Sequence, residues 1–199
     1  MPRTNLIRTN LHPYHIYIRC NNREWFDVPI GTVWDILLES LTLAYEKYPV
    51  HLQAFVLMAN HYHGLVWTPN SDLDKFMYVL NSEISKRLRK RTGRINRIFG
   101  DRYKWSLIKD EKYHQNVLRY IYQNPLKVDV VKKCEDYTYS TLHYIIQKKD
   151  FPIPLWNHSS KEDLEFINDS TFERENLTPS LLKPIFKPKK SRTSRRQIS

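Results

Sequence analysis

Cysteine is nearly absent. Cys20 and Cys134 are the only two in 199 residues, far apart and with no CxxC. That excludes a disulfide framework and a zinc knuckle, which need clustered thiols, and suits a reducing compartment. Long apolar runs are also missing. No stretch approaches the roughly 18 apolar residues of a membrane span, and Met1–Asn10 lacks the apolar core of a signal peptide. A cytoplasmic protein without membrane contact is expected. Glycine is scarce, at four, and there is no internal repeat. Positive charge is what the chain has in excess: 32 Lys and Arg against 21 Asp and Glu leave +11, with a pI near 9.6. Such a field concentrates polyanions, of which nucleic acid is the commonest. A hydrophobic fraction of 41% can fill one core, which argues against wholesale disorder. The 13 Tyr and 5 Trp prove little alone, since aromatic rings are ordinary core material.

Hydrophobic period organises the chain. Tyr14–Cys20 alternates like a half-buried strand. Thr32–Tyr48 places Val33, Leu37, Leu41 and Ala44 at helical steps, closed by Pro49. Val50–Met58 and His61–Thr68 predict two strands in an antiparallel hairpin across Ala59-Asn60. A second helix is expected over Leu73–Arg91, with Phe76, Leu80, Ile84 and Leu88 buried and Gly93 ending it. Ile98–Ile108 predicts a short strand or hairpin around Gly100-Asp101. A third helix is expected from Glu111 to about Gln123, stopped by Pro125, and another over Thr138–Lys148. The order β-α-β-β-α-β-α predicts an α+β fold on a split βαβ plan, an antiparallel sheet flanked by helices. From Asp150 the composition shifts to proline and, over Lys183–Ser199, to cations without an acid. The chain therefore divides into residues 1–149 and a basic extension, 150–199.

His61-Tyr62-His63 lies in a predicted strand, where residues two apart share a face. Both imidazoles can approach one cation; the alternative is a pair of satisfied structural histidines without a metal. A site completed by an amide or carboxylate oxygen and water accepts Mg²⁺ or Mn²⁺ as well as Zn²⁺. In the third helix Tyr120 and Asn124 are four residues apart, about 40° on one face. That face can present a phenol nucleophile and an amide oxygen to the same ion. Tyr122 points about 160° away and is expected to pack; Tyr113, near the helix start, is a weaker rival. Without the His pair, YIYQNP is a helix end with packed aromatics.

The blocks AFVLMANHYHGLV, FGDRYKWSLI, VLRYIYQNPLKVDVV and YTYSTLHYI, in that order between Tyr14 and Ile146, resemble the REP-associated tyrosine transposases, within the insertion-sequence transposases of the HUH nuclease superfamily. The resemblance implies that His61 and His63 bind a metal, that Tyr120 is the nucleophile and that Asn124 is the helix-borne third ligand. It implies Mg²⁺ or Mn²⁺ as cofactor, single-stranded DNA beside a hairpin as substrate, and a monomer rather than a dimer. Two departures stand out. Ala59 replaces the Pro usual before the Asn-His step, and the chain beyond about Asp150 has no counterpart.

Phosphate contact is expected from Lys86, Arg87, Arg89, Lys90, Arg91, Arg94 and Arg97, which crowd the second helix's end with no acid among them. Arg102 and Lys104 interleave with Tyr103 and Trp105, which suits gripping a strand and stacking bases; core packing of the two rings is the alternative. The expected function is a metal-dependent nuclease and strand-transferase forming a 5′-phosphotyrosine. The alternatives are a non-catalytic single-stranded nucleic-acid-binding module and a replication-initiator nuclease of the same superfamily.

Overall fold

The computed structural model describes residues 5–156 and 163–169. Strand alternation makes β1 (Tyr14–Arg19), and the helical spacing of Val33, Leu37, Leu41 and Ala44 makes α1 (Ile30–Lys47). β2 (His51–Met58) and β3 (His61–Trp67) form the expected antiparallel hairpin. α2 (Leu73–Thr92) ends at Gly93, whose φ of 70° lies in the left-handed region that favours glycine. β4 (Lys104–Leu107) and α3 (Glu111–Tyr122) follow. Asp110 caps α3, its Oδ1 accepting the Tyr113 N–H at 2.8 Å, a contact type worth about 1 kcal/mol.

The sheet order is β2-β3-β1-β4, antiparallel throughout. β3 inserts between the two strands that α1 connects, which is the split βαβ plan of an α+β fold. Pleating sorts the side chains onto two faces. Tyr14, Ile16 and Ile18 of β1, Phe55 and Leu57 of β2, and Tyr62 and Val66 of β3 turn toward α1 and α2 and form the larger core. Each such side chain contributes about 1.5–3 kcal/mol through burial. Gly64 lies on this face, where a Cβ would come within 3.1–3.2 Å of Ile16 and Phe55. The opposite face carries His15, Tyr17, Arg19, His61 and His63. Val117, Tyr120 and Ile121 of α3 pack on it with Val56, Met58 and Leu65.

Of the short strand or hairpin expected over Ile98–Ile108, the strand forms: the four-residue β4 extends the sheet beside β1, and Phe99 makes an isolated bridge to Cys20. So short a strand buries little by itself, and the open edge of β1 satisfies its backbone. The helix expected over Thr138–Lys148 is confined to α4 (Thr141–Ile146). Residues before it are occupied with the edge of β2: Leu57 N–H donates to the Tyr139 carbonyl at 3.0 Å, and Phe55 N–H to Thr141 Oγ1 at 2.9 Å. Further along, Trp156 N–H donates to the Leu52 carbonyl at 2.8 Å. The chain after α3 thereby covers an edge that would otherwise offer a template for strand addition.

The described part of the extension packs on the domain. Ile153 enters the larger core. A short helix not foreseen from sequence, α5 (Leu164–Asn168), lies against α3, with Gln123 Nε2 donating to the Ile167 and Asp169 carbonyls at 2.9 and 2.8 Å. The basic stretch Lys183–Ser199 lies outside the described residues.

Candidate active site

β3 carries His61 and His63 to one face, with ring centroids 5.2 Å apart at 83°. The antiparallel register sets Arg19 opposite His61, Tyr17 opposite His63 and His15 opposite Leu65. Three residues that sequence alone did not single out therefore join the pair. The Tyr17 ring lies 4.6 Å from that of His63. His15 Nε2 is 3.0 Å from His63 Nδ1, the two ring planes inclined by only 15°. The Arg19 guanidinium sits 5.4 Å from the Tyr17 ring centroid. The polar half of the YHIYIR alternation was the available signal; the register that gives it meaning is non-local.

Burial pushes the His15 imidazole down to about 4, and burial with the Arg19 charge pushes His61 down to about 3. Both are neutral at neutral pH, the form in which imidazole binds a metal. An unfolded histidine titrates near 6.5, so on acidification the unfolded chain takes up these protons first. The stability these groups contribute is intact above about pH 6.5 and is lost as pH falls toward about 4. We expect the thermal midpoint to drop between pH 7 and 4.5, with each group contributing up to about 1.4 kcal/mol per pH unit. A midpoint flat across that range would contradict this assignment.

α3 brings Tyr120 to the same place. Its ring stands edge-on to His63 at 5.5 Å and 89°, and to His15 at 5.8 Å and 78°. Lys127 Nζ lies 5.1 Å from the Tyr120 ring centroid. One turn further, Asn124 Nδ2 donates to the Tyr120 and Ile121 carbonyls at 2.9 and 3.2 Å, closing the helix end. With its nitrogen so engaged, the amide oxygen is the atom Asn124 can offer a cation. Tyr122 packs as expected, its hydroxyl donating to the Gln53 carbonyl at 3.4 Å and lying 3.1 Å from Thr141 Oγ1. Tyr113 is buried, and that burial pushes its phenol up to about 12.

Among the described residues no group of three or more His, Cys, Asp or Glu is arranged to hold a metal ion. A cation here would draw on two imidazoles, an amide oxygen, and phosphate or water. This thiolate-free donor set fits Mg²⁺ or Mn²⁺ as well as Zn²⁺.

α2 packs on the face opposite the His pair, so Lys86, Arg87, Arg89, Lys90 and Arg91 do not adjoin the site. Part of their charge is also engaged. Arg87 pairs with Glu39 and, at 3.7 Å, with Glu83, which also meets Lys86 at 3.7 Å; Arg94 pairs with Glu24 and, at 3.2 Å, with Asp27. These acids come from α1, α2 and the loop after β1, which is why the basic run looked uncompensated in sequence. Arg89, Lys90, Arg91, Arg97 and Arg102 are exposed. Lys104 is exposed opposite Tyr17 and so lies on the site face, whereas Trp105 turns to the core and meets Tyr14 at 6.2 Å. Half-buried Tyr103 also packs on the core, so of the two readings of these rings, stacking and packing, the fold takes the packing one.

The family described as "Transposase IS200 like" matches residues 8–124. A provisionally named REP-associated tyrosine transposase of Haemophilus influenzae is 28% identical over 118 residues, covering 54% of this chain and 67% of that protein. The REP-associated tyrosine transposase of Escherichia coli is 27% identical over 124 residues, covering 62% and 73%. Among solved structures, a REP-associated tyrosine transposase bound to a REP hairpin superposes with a TM-score of 0.60 at 23% identity, over 72% of this chain and 84% of that one. That likeness shows the shared fold.

Proposed function

This chain belongs to the IS200-like transposase family, and on that footing we propose that it is a metal-dependent single-strand DNA endonuclease and strand-transferase acting on DNA beside a hairpin. The observation that carries the reading is the edge-on packing of Tyr120 against His63 at 5.5 Å, within a single chain. His61, His63 and Asn124 would hold Mg²⁺ or Mn²⁺, which when bound polarises the scissile phosphate and offsets its developing charge. With its ring edge-on to His63 and His15, the Tyr120 phenol would attack that phosphorus. The Tyr120 Oη–P bond forms, the P–O3′ bond breaks, and the phenolic proton passes, net, to the departing 3′ oxygen. The 5′-phosphotyrosine conserves the phosphodiester energy, so a 3′-hydroxyl can later reverse the step.

Residues 1–149 carry every group this chemistry needs, and the described part of 150–199 braces β2 and α3. Because one subunit places Tyr120 beside its own His pair, a monomer suffices; sedimentation would report it. No helix among the described residues is long and apolar enough to cross a membrane.

The strand would lie along the face that presents Arg19 and Lys104. The paired Arg19→Ala, Lys104→Ala variant should weaken single-stranded DNA binding and flatten its salt dependence by about 0.7 logarithmic units per lost phosphate contact. Arg87→Ala, which removes a cation already facing Glu39 and Glu83, should change that slope little. Fluorescence anisotropy titrations across salt concentrations check both, and a larger effect at Arg87 would place the strand on the wrong face. The reading as a whole is tested by incubating the protein with hairpin-bearing single-stranded DNA and Mn²⁺ and looking for a covalent adduct abolished by chelator. A non-catalytic module would bind DNA with the same salt sensitivity and yield no adduct.

A further inference from the structure

Asn60 closes the turn between β2 and β3 and adjoins the His pair in sequence. Its Nδ2 donates to the Arg23 carbonyl at 2.8 Å, and its Oδ1 lies 2.7 Å from His61 Nδ1. The Arg23 carbonyl can only accept, which fixes which end of the amide faces it. The Asn60 oxygen can also only accept, so the hydrogen in the second contact sits on His61 Nδ1. A neutral ring protonated there keeps its lone pair on Nε2. The turn itself is held by Cys20 N–H, which donates to the Asn60 carbonyl at 2.8 Å.

His63 is held in a similar way by His15, whose Nε2 lies 3.0 Å from His63 Nδ1. One of these nitrogens donates. Donation from His63 leaves its Nε2 unprotonated, whereas donation from His15 puts the His63 hydrogen on Nε2 and removes that atom as a ligand. A cation shared by both rings selects the first arrangement. We propose that Asn60 and His15 are positioning residues that fix His61 and His63 as Nδ1–H tautomers, so that both rings turn an unprotonated Nε2 to one cation. The proposal rests on the metal reading above and assigns two further residues to that site. Hydrogen bonds of this kind orient metal-bound histidines and raise their basicity, and their loss costs about 10–100-fold in affinity.

The test is two-bond ¹H–¹⁵N correlation NMR on metal-free, histidine-labelled protein, with Mn²⁺ titration of the same samples. In the wild type His61 and His63 should both carry the hydrogen on Nδ1. Asn60→Ala should shift His61 toward the Nε2–H form and weaken Mn²⁺ binding about 10–100-fold. Asn60→Asp keeps an oxygen that accepts from Nδ1 but loses the donor to the Arg23 carbonyl, so it should restore the Nδ1–H tautomer more fully than the affinity. His15→Leu should shift His63 in the same manner. An Nε2–H tautomer at either ring of the wild type, or an Asn60→Ala protein with unchanged tautomer and affinity, overturns the proposal. Uptake of Mn²⁺ by the wild type reads the metal assignment separately: Nδ1–H tautomers without uptake would reject that assignment and, with it, the purpose given to Asn60 and His15.

Discussion

Replacing Tyr120 with Phe is expected to abolish covalent capture of single-stranded DNA while leaving the fold and DNA binding in place. The substitution removes one oxygen and keeps the ring that packs on His63 and His15. Its cost to stability should not exceed that of one hydrogen bond, about 1–1.5 kcal/mol. Removal of a nucleophile leaves nothing to form the bond, so adduct yield should fall by about a thousandfold or more. Tyr17 supplies the control. Its ring lies closer to His63, at 4.6 Å, but it sits in a strand laddered on both sides, and burial raises its phenol's pKa. Tyr17→Phe should retain the adduct. Gel analysis of the trapped complex checks both variants, and an adduct that survived Tyr120→Phe would remove Tyr120 from the role.

His61→Ala should lose Mn²⁺ binding by about a hundredfold or more, beyond what loss of an orienting partner costs, and adduct formation should fail with it. The two histidines differ as targets. His61 is half-buried and its Nδ1 partner, Asn60, lies at the turn, so truncation should disturb the fold little. His63 is only 2% exposed and partners half-buried His15. His63→Ala would strand a polar nitrogen and leave a cavity, costing about 1–3 kcal/mol for the unsatisfied group alone. His61→Ala is therefore the variant from which a loss of metal can be read without a loss of structure. Isothermal titration with Mn²⁺ beside thermal melting separates the two effects. Wild-type affinity in His61→Ala would leave the imidazole pair with a packing role.

Most of the fold could be read locally. α1, α2 and α3 declare themselves through apolar residues at three- and four-residue steps, and the β2–β3 hairpin through its short link. The same local rules place His61 with His63 on one face and Tyr120 with Asn124 on another. What they do not provide is the neighbour across a non-local ladder. β1 meets β3 across more than forty residues of chain, and only that register brings His15, Tyr17 and Arg19 to the His pair. The basic stretch looked uncompensated for a related reason. Its partners Glu24, Asp27 and Glu39 are distant in sequence, and α2 lies behind the sheet. Likewise, Trp105 and Lys104 read as one gripping motif until strand pleating sends them to opposite faces. α5 was hidden in a segment whose composition suggested only a tail.

The measurement that bears most directly on the central claim is mass-spectrometric peptide mapping of the protein after incubation with hairpin-bearing single-stranded DNA, with Mn²⁺ and with chelator in parallel. The account predicts a 5′-linked nucleotide on the peptide containing Tyr120, formed only when Mn²⁺ is present. Labelling of Tyr113 or Tyr17 instead, or equal labelling in chelator, would contradict it.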